Sequence, residues 1–333
     1  MRLSILIPVY NVASYLPDLL KKLLPNLPND VEIIFYDDAT PDNSITIIKE
    51  YLSHYGSQQI QILRGSENVG LTKARDRLLK ASKAEYIWFI DSDDLVEEFA
   101  LTEIISILSQ AKPDVLMFDY DVFFDENNKV KHRDSLSFYP KNKLVKSSGK
   151  EIYRTAVLDG KHYFWNKIFR RKLIENVVCY DISAFEDIAY TPILLSKCQN
   201  FYYYPQVVIH YRVRKNSIAQ KISSMQPYGI KAYIQQAEYA EKVLDDNKSR
   251  AYLLYKTCIY FYRILKKICK SDLPAANKTE LIKFSKILYS EKNISEWQIV
   301  GLLIQEAMFT KAIKLINHLI ISKIKYSVKL NLN

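Results

Sequence analysis

The amino-acid sequence predicts an α/β fold, a mostly parallel sheet flanked by helices, followed by an all-helical C-terminal region. The first observation is that short apolar runs alternate with amphipathic segments over about the first 120 residues. Such runs are typical of strands buried on both faces, and their alternation with helices favours parallel pairing through right-handed crossovers. The second observation is that every segment beyond about residue 225 has helical periodicity. We therefore predict two domains, at residues 1–220 and 221–333.

Each element is predicted from the spacing of its apolar residues. Leu16, Leu19, Leu20 and Leu23, for example, repeat as one face of a helix does. Strands are expected near 3–9, 31–37, 60–64, 85–90 and 114–120, and a broken strand at 201–214, interrupted by Pro205. Helices are expected near 14–24, 44–55, 71–83, 97–111, 186–198, 226–247, 249–270, 278–289, 295–307 and 310–325. Residues 121–145 are predicted to be irregular, with a hairpin turn at 125–128.

Composition narrows the class of protein. Hydrophobic residues make up 48% of the 333 residues and charged residues 25%, the balance of a folded domain. The formal charge of +10 favours anionic partners such as nucleotides, phospholipid headgroups or nucleic acid. No nucleic-acid-binding motif is recognisable, so we do not expect a nucleic-acid partner. The four cysteines form no CxxC pair, and neither a secretory signal nor an uncharged apolar stretch of about 18 residues is visible. We expect a cytoplasmic protein with reduced thiols and no membrane-spanning helix.

The most informative motif is Asp91-Ser92-Asp93-Asp94, directly after the apolar run 86–90. A buried strand delivers these carboxylates to its carboxyl end, where open α/β sheets bind their ligands. Carboxylates this close repel one another unless a cation neutralises them, and Mg²⁺ or Mn²⁺ suits oxygen ligands. The alternative is an acidic loop that merely caps the next helix.

A second acidic cluster, at 37–44, follows the second predicted strand. In a parallel sheet the carboxyl ends of the first, second and fourth strands can converge on one ligand. An acidic side chain there would accept hydrogen bonds from a ribose or a base. Alternatively the cluster forms a turn and caps the helix that begins near Ser44, a role we expect of Asp42 and Asn43.

Taken in order, seven motifs resemble those of family 2 glycosyltransferases of the GT-A fold, of the type that builds bacterial polysaccharide or lipooligosaccharide. The matching segments are SILIPVYN (4–11), DDATPDNS (37–44), NVGLTKAR (68–75), YIWFIDSDD (86–94), WNKIFRR (165–171), FED (185–187) and YRVRKNSI (211–218). The resemblance covers residues 1–218, and each motif alone is weak. It implies a Rossmann-like GT-A sheet and a nucleotide-sugar donor bound with Mn²⁺ or Mg²⁺. Among nucleotide sugars, a UDP-sugar is the expected donor. The implied reaction is inverting transfer of a hexosyl or N-acetylhexosaminyl group.

The resemblance also implies an acceptor hydroxyl on a bacterial surface glycan, such as lipopolysaccharide or capsule, or on a lipid-linked oligosaccharide. It assigns Asp91 and Asp93 to the metal and Asp187 to the catalytic base. Implied donor contacts are Pro8, Tyr10, Asn11, Asp38 (reaching the base), Asn68, Arg75, Asp91, Arg212 and Arg214. Implied acceptor contacts are Trp165, Asn166 and Glu186.

Several of these assignments have structural alternatives. Asp187 could be an ordinary first-turn carboxylate stabilised by the helix dipole, and Trp165 a core residue. Of Arg212 and Arg214, we expect only one to face the cleft and grip the diphosphate; the alternative is a solvent-facing salt bridge. For His210 we favour a structural role over metal ligation.

The sequence departs from the family pattern at two places. Ala-Arg-Asp-Arg-Leu at 74–78 stands where relatives often show Ala-Arg-Asn-x-Gly, and Lys83-Ala84 replaces a glycine pair. Both changes put base specificity in question and leave every acidic motif in place. A non-catalytic nucleotide-sugar-binding protein, or a partner protein of a glycan assembly complex, is the alternative function.

The C-terminal segment 309–329 combines isoleucines and leucines with five lysines. Such a basic amphipathic helix can lie on an anionic membrane surface, which would place the protein at the inner face of the cytoplasmic membrane. It can equally pack its apolar face on neighbouring helices. Homo-oligomerisation stays open.

Overall fold

A computed structural model describes residues 1–25, 27–55, 59–126, 129–175, 184–214 and 222–330, with only the backbone described for 322–330. Within these residues the strands are β1 (Leu3–Val9), β2 (Val31–Asp37), β3 (Ile60–Arg64), β4 (Tyr86–Phe89), β5 (Leu95–Val96), β6 (Val115–Phe124), β7 (Val130–Asp134), β8 (Leu144–Lys146), β9 (Lys167–Arg170) and β10 (Asn200–Val213). The helices are α1 (Leu16–Leu23), α2 (Ser44–Tyr55), α3 (Leu71–Ala81), α4 (Ala100–Gln110), α5 (Gly149–Asp159), α6 (Arg171–Ile174), α7 (Glu186–Ser196), α8 (Tyr228–Lys242), α9 (Asn247–Lys270), α10 (Ala275–Ser290), α11 (Glu296–Gln305) and α12 (Phe309–Leu330).

The strands form one mixed sheet in the order β3-β2-β1-β4-β9-β6-β10-β5, with β7 paired to β6 and β8 to β10. Strands β1 to β4 pair in parallel, as do β6 and β10, whereas β9 runs antiparallel between β4 and β6. The chain leaves β1 toward β2 and β3, then returns to the other side of β1 as β4. The predicted fold class, an α/β sheet flanked by helices with further helices at the C-terminal end, is confirmed.

The core around this sheet follows from the apolar periodicity. Every residue of β1 except Pro8 is buried, because both faces of that strand are covered. The predicted face of α1, with Leu16, Leu19, Leu20 and Leu23, lies in the same core as Trp88 of β4. Helix α1 begins with proline near its first position, where a missing N–H costs nothing.

The chain divides into two compact units. The first comprises Met1–Ser183 and Tyr190–Lys215, and the second comprises Ala184–Ala189 and Asn216–Asn333. The short segment Ala184–Ala189 thus groups with the helical unit, although the sequence placed it in the N-terminal domain. In the second unit α9 is the central helix and contacts α8, α10, α11 and α12.

Three observations concern the remaining expectations about the chain as a whole. Cys198, Cys258 and Cys269 carry free thiols, as predicted, and Cys179 lies outside the described residues. Among the described helices, none combines the length and the apolar character needed to cross a bilayer. The predicted hairpin after β6 is present, since β6 and β7 pair antiparallel; residues 127 and 128 of its turn lie outside the described residues.

One expectation about secondary structure was wrong, and several elements were not predicted. Pro205 does not interrupt β10, because the strand absorbs it in a register shift against β6 between Tyr204 and Val207. Strand β9 was not predicted; it has only four residues, two of them basic, and its central place in the sheet depends on its neighbours. Helix α5 was also missed, although Ser148 caps it and the left-handed Gly160 ends it.

Candidate active site

The candidate site lies in the first unit, at the carboxyl ends of three adjacent parallel strands. Strand β1 pairs with β2 on one side and with β4 on the other. The predicted convergence of these three strands is therefore present. Because the chain reverses its direction of winding at β1, a crevice opens outside these strand ends, where α/β sheets bind ligands.

The loops after β1 and β2 are tied together by side chains of the second acidic cluster. The backbone N–H of Asn11 donates to Oγ1 of Thr40 over 2.7 Å, and that of Ala13 donates to Oδ2 of Asp42 over 2.8 Å. Oδ1 of Asp42 accepts from the hydroxyl and the backbone N–H of Ser44, at the start of α2. Burial tends to raise the pKa of Asp42, but these hydrogen bonds outweigh it and lower the pKa below its ordinary value. Asp42 therefore does more than cap a helix: it fixes two loops of the crevice.

Asp38 holds the start of α3. Its carboxylate is 3% exposed and accepts from the backbone N–H of Val69 over 2.8 Å and of Gly70 over 2.9 Å. Gly70 has φ of +83°, a conformation that glycine adopts without strain. Each carboxylate oxygen can accept a further hydrogen bond, so contact of Asp38 with a base stays a prediction. Asn68, next to this contact, is exposed.

Arg75 of α3 reaches the first carboxylate of the acidic segment. Its Nη2 donates to Oδ1 of Asp91 over 2.8 Å, and its guanidinium lies 5.8 Å from the ring centroid of Phe89 and 5.4 Å from that of Phe164. The arginine is buried, so the two rings and the carboxylate hold its head group in one place. Arg75 thereby orients Asp91 at the end of β4.

Arg212 organises the rest of the acidic segment. It is 5% exposed, and its Nε donates to the backbone carbonyl of Asp93 over 2.8 Å. Its Nη1 and Nη2 pair with Asp125 at 2.8 Å and Asp18 at 3.0 Å. Its backbone N–H donates to Oδ1 of Asp94 over 2.9 Å. Because Nε, Nη1 and Nη2 each donate to an acceptor within the protein, Arg212 holds the acidic segment 91–94 in place.

Arg214 approaches a carboxylate instead of a backbone group. Its Nε lies 2.7 Å from Oδ2 of Asp93. The guanidinium groups of Arg212 and Arg214 each lie 5.2 Å from the ring centroid of Tyr15. The expectation that only one of the two arginines would face the cleft is wrong, because residues two apart along a strand share a face. Both arginines reach the acidic segment.

Burial and mutual repulsion oppose full ionisation of the carboxyl groups in the acidic segment. Burial raises the pKa of Asp93; the neighbouring Arg214 opposes this rise, and Asp91 adds to it. Burial likewise raises the pKa of Asp94 well above its ordinary range, reinforced by the charges of Asp93 and Asp91. Oδ2 of Asp94 is buried and lacks a hydrogen-bond partner in the described part of the chain. These carboxyl groups favour an added cation or a proton.

Asp91 and Asp93 fit a hard divalent cation by their chemistry. The described residues contain no group of three or more His, Cys, Asp or Glu side chains placed to hold a metal. Mg²⁺ and Mn²⁺ are commonly held by one or two carboxylates together with the phosphates of a substrate, so two carboxylates suffice. Arg75 and Arg214 each contact one oxygen of these carboxylates, which leaves further lone pairs for a cation.

Trp165 and Asn166, two of the three residues predicted to contact the sugar acceptor, are buried in the first unit. The ring of Trp165, 3% exposed, stacks between Tyr163 and Tyr211 with centroid distances of 4.7 Å and 5.5 Å. Asn166 is fully buried, and its side-chain oxygen accepts from Nζ of Lys167 over 2.7 Å. The structure favours the core interpretation of Trp165, and it gives Asn166 a partner within the fold.

Other predicted residues are placed as follows. Pro8 lies in β1, and Tyr10 and Asn11, just beyond the strand, are exposed. His210 bridges two carboxylates, with Nδ1 2.8 Å from Asp121 and Nε2 3.0 Å from Glu97, as expected of a structural histidine. Residues 215–218 of the last motif lie outside the described residues.

Glu186 and Asp187 lie in the first turn of α7, within the segment that groups with the second unit. Phe185, just before them, has φ of +66°, and its ring contacts that of Tyr260 in the same unit at a centroid distance of 5.8 Å. A non-glycine residue in this conformation is uncommon and often belongs to a functional turn. The role of Asp187 as base, and that of Glu186 toward the acceptor, stay predictions.

Tyr15, Asp18 and Asp125 complete the site, and sequence reasoning missed all three. They lie in or before α1 and after β6, and they contact Arg212 across the sheet. The distances along the chain are too long for local spacing to reveal these contacts. The only available signal was the presence of a carboxylate, Asp18, on the predicted first helix, and such carboxylates are common on surfaces.

This geometry is that of an α/β protein with a mixed sheet, in which carboxylates and arginines come together at the carboxyl end of β4. The sequence profile of glycosyl transferase family 2 matches residues 4–177, and the chain belongs to that family. A curated relative, the putative glycosyltransferase EpsH of Bacillus subtilis, is 27% identical over 225 residues, 66% of this chain and 62% of EpsH. The chain thus spans less than two thirds of that relative.

Solved structures share the fold at low sequence identity. Residues 1–349 of Staphylococcus aureus TarS, in complex with UDP, superpose with a TM-score of 0.65 at 16% identity, covering 95% of this chain and 89% of that one. The mannosyltransferase PcManGT of Pyrobaculum calidifontis, in complex with GDP-Man and Mn²⁺, has a TM-score of 0.52 at 16% identity, covering 92% and 86%. Both matches extend over the helical unit as well as the sheet.

Proposed function

We propose that this chain transfers a sugar from a nucleotide-sugar donor to a hydroxyl group of an acceptor. The donor that we propose is a UDP-sugar. The observation that carries the proposal is the buried acidic segment 91–94, which Arg75, Arg212 and Arg214 surround at the carboxyl end of β4. The arginines can pair with the negative charge of a diphosphate, and the carboxylates can pair with the positive charge of a divalent cation. Family membership and the ligands of TarS and PcManGT support the same assignment.

Asp91 and Asp93 would hold the divalent cation, Mn²⁺ or Mg²⁺. When bound, the cation would act as a Lewis acid and stabilise the charge that develops on the departing nucleoside diphosphate. Arg75 keeps Asp91 oriented toward the crevice, and Arg212 keeps the backbone of Asp93 in place. Arg214 is the cation closest to Asp93 and would turn to the donor's diphosphate, since a planar guanidinium suits phosphate oxygens.

The nucleoside would bind between the loops after β1 and β2, which the side chains of Thr40 and Asp42 fix. Tyr10 and Asn11, exposed at the end of β1, would contact it, with Asp38 and Asn68 nearby. A rigid crevice reduces the entropy lost on binding. Asp76 and Leu78 stand where relatives often show Asn and Gly, which alters the adjoining helix, so the titration below determines which base is bound.

Transfer with inversion needs one base to deprotonate the acceptor hydroxyl, opposite the leaving nucleotide. Asp187, in the first turn of α7, is the proposed base, with Glu186 toward the acceptor. The acceptor class that we propose is a bacterial surface glycan or a lipid-linked oligosaccharide. The transferred group would be a hexosyl or N-acetylhexosaminyl residue.

The test is calorimetric titration of the protein with UDP, GDP, CMP and their common sugar conjugates, with and without Mn²⁺. We expect Mn²⁺-dependent binding of one nucleotide class. Asp93→Asn should abolish the Mn²⁺ dependence, whereas Asp187→Asn should retain donor binding and lose transfer. Asp272→Asn, at an exposed carboxylate between α9 and α10, serves as the matched control and should change neither.

The outcomes separate the candidate functions. Donor binding without transfer or donor hydrolysis, across a panel of acceptors, would support a non-catalytic nucleotide-sugar-binding protein. Unchanged turnover in Asp187→Asn would exclude that residue as the base. Absence of binding to every nucleotide, in protein that unfolds cooperatively, would overturn the proposal.

A further inference from the structure

Helix α12 has two apolar faces, although its packing needs only one. Ala312, Leu315 and Leu319 are buried, and the helix contacts α9 and α11. Four of the side chains that point away from this contact are also apolar, beside the exposed polar residues Thr310, Lys314 and Asn317. Between 51% and 58% of the surface of each of the four is exposed; they are Phe309, Ile313, Ile320 and Ile321. A helix that packs against a bundle normally carries polar residues on its outer face, so the second apolar face is not explained by the fold.

The neighbouring helix α11 repeats this feature. Trp297 is 57% exposed and Ile304 is 49% exposed. These residues are seven positions apart and therefore lie on one face of the helix. Gly301, between them on that face, has open space beside it. A large exposed tryptophan is costly in water and is the side chain most enriched at the boundary between lipid and water.

Positive charge is concentrated in the same part of the chain. Residues 247–333 contain 16 lysines and arginines and 5 acidic residues, a balance of +11, while the whole chain carries +10. The other residues are therefore close to neutral. Helix α12 contains five lysines and no acidic residue. Among those with described side chains, Lys314 is exposed, and Nζ of Lys311 lies 5.9 Å from the ring centroid of Tyr252 on α9.

We propose that the helical unit docks on the surface of an anionic lipid bilayer through the outer faces of α11 and α12. We call the exposed set Trp297, Ile304, Phe309, Ile313, Ile320 and Ile321 the outer apolar set. These side chains would enter the boundary between headgroups and acyl chains, and the lysines would contact anionic headgroups. The helices would lie in the plane of the surface, since none of those described is suited to crossing it.

Charge distinguishes an anionic bilayer from the other molecules that could cover this surface. Two copies of the chain meeting through this face would bring two strongly basic surfaces together, which is unfavourable at moderate ionic strength. A nucleic acid would satisfy the lysines but would leave the isoleucines in water. An anionic bilayer satisfies both the lysines and the outer apolar set. The proposal does not depend on the transferase activity, because it rests on the second unit alone.

The experiment is co-sedimentation of the full chain with vesicles of phosphatidylcholine, with and without about 30% phosphatidylglycerol. We expect binding to the anionic vesicles, which falls by roughly tenfold or more when salt is raised from about 50 mM to about 500 mM. The double variant Ile313→Ser with Ile320→Ser should bind roughly tenfold less tightly or worse. The double variant Lys311→Glu with Lys314→Glu should lose the preference for anionic lipid.

Two controls match these changes. Val243→Ser replaces another exposed aliphatic residue of the helical unit and should bind as the wild type does. Lys49→Glu with Lys131→Glu makes the same change of net charge at exposed positions of the first unit, and it too should leave binding unchanged. Lys311 is partly buried near Tyr252, whereas the other substituted side chains are exposed, so every variant except Lys311→Glu with Lys314→Glu should keep the thermal midpoint of the wild type.

Three results would overturn the proposal. The first is no binding to anionic vesicles at low salt. The second is a dimer, seen by analytical ultracentrifugation, that Ile313→Ser with Ile320→Ser dissociates, which would show that a second copy covers this face. The third is binding to an oligonucleotide that exceeds vesicle binding and is insensitive to the isoleucine substitutions.

Discussion

Nε of Arg214 lies 2.7 Å from Oδ2 of Asp93, the carboxylate proposed as the principal metal ligand. An arginine in this position neutralises part of the charge that a divalent cation would otherwise neutralise. Burial raises the pKa of Asp93, and Arg214 opposes that rise, so the ion pair helps to keep Asp93 ionised before any ligand binds. Arg214 and a cation therefore compete for one oxygen of the same side chain.

Replacing Arg214 should strengthen binding of Mn²⁺ in the absence of donor. In Arg214→Gln we expect the Mn²⁺ dissociation constant to fall by roughly threefold to tenfold near pH 7.5, about 1 kcal/mol. The affinity for the donor should fall in the same variant, because the diphosphate loses an arginine. Electron paramagnetic resonance of free Mn²⁺ measures the first quantity and calorimetry the second. Arg133→Gln, whose arginine pairs with Asp119 away from the acidic segment, is the control. Equal Mn²⁺ affinities would contradict the competition.

We expect the main contribution of Arg212 to be to the free energy of unfolding. Arg212→Met would leave the carbonyl of Asp93 and the carboxylates of Asp18 and Asp125 without their shared donor. We expect a loss of about 2–4 kcal/mol in the free energy of unfolding, at the lower end of the range for buried pairs because both carboxylates keep some contact with water. Denaturation by urea measures it. Lys22→Met, which removes an exposed pair with Glu98, should cost less than about 0.5 kcal/mol. Similar losses in the two variants would count against the positioning role.

Asp38 should control the start of α3. Asp38→Ala removes the acceptor for the backbone N–H groups of Val69 and Gly70. We expect these two amides to exchange with solvent at least tenfold faster, and the free energy of unfolding to fall by about 1–2 kcal/mol. Hydrogen–deuterium exchange resolves the local effect. Asp76→Ala removes a carboxylate of the same helix that pairs with Lys80, and it should leave both amides protected.

Asp42 should contribute stability that depends on pH. Its pKa in the folded chain is below the ordinary 3.8, so its contribution is complete above about pH 4 and is lost as pH falls through the folded pKa. We expect Asp42→Asn to be less stable than the wild type by about 1–3 kcal/mol near pH 7. The difference should narrow toward about pH 3, because this carboxyl is by then largely protonated in the unfolded wild type, which opposes its ionised form in the folded chain. Urea unfolding at both pH values measures the difference; a gap that does not change with pH would refute the role of the charge.

The expectations that the structure confirmed rest on local patterns. Apolar runs at 3–9 and 31–37 became strands with those same bounds, because a strand buried on both faces must be largely apolar. The run 60–64 also became a strand with the predicted bounds, although this edge strand is only partly buried. The convergence of the acidic motifs followed from strand polarity: carboxylates placed after parallel strands necessarily arrive at one edge of the sheet. Family membership followed from the order of the motifs, which the sequence displays directly.

Contacts between distant segments could not be predicted in the same way. Arg212 and Asp18 are separated by 194 positions, and nothing in their local sequence indicates that they pair. Trp165 has the side chain of a sugar-binding residue, yet it lies in the core because β9 enters the sheet beside β4 and the turn just before β9 is buried with it. The two arginines near the end of β10 were expected to divide between cleft and solvent, and both reached the acidic segment.

By itself the sequence determined the fold class, the strands that carry the acidic motifs and the edge of the sheet where those motifs meet, since each depends on periodicity and polarity over a few residues. Only the tertiary structure decided which cation neutralises which carboxylate, that Asp42 and Asp38 hold loops, and that α12 exposes a second apolar face. The physical reason is that burial and pairing depend on the neighbours that topology supplies. An aspartate can cap a helix, connect two loops or bind a metal, and the segments that pack around it determine which of these roles it has.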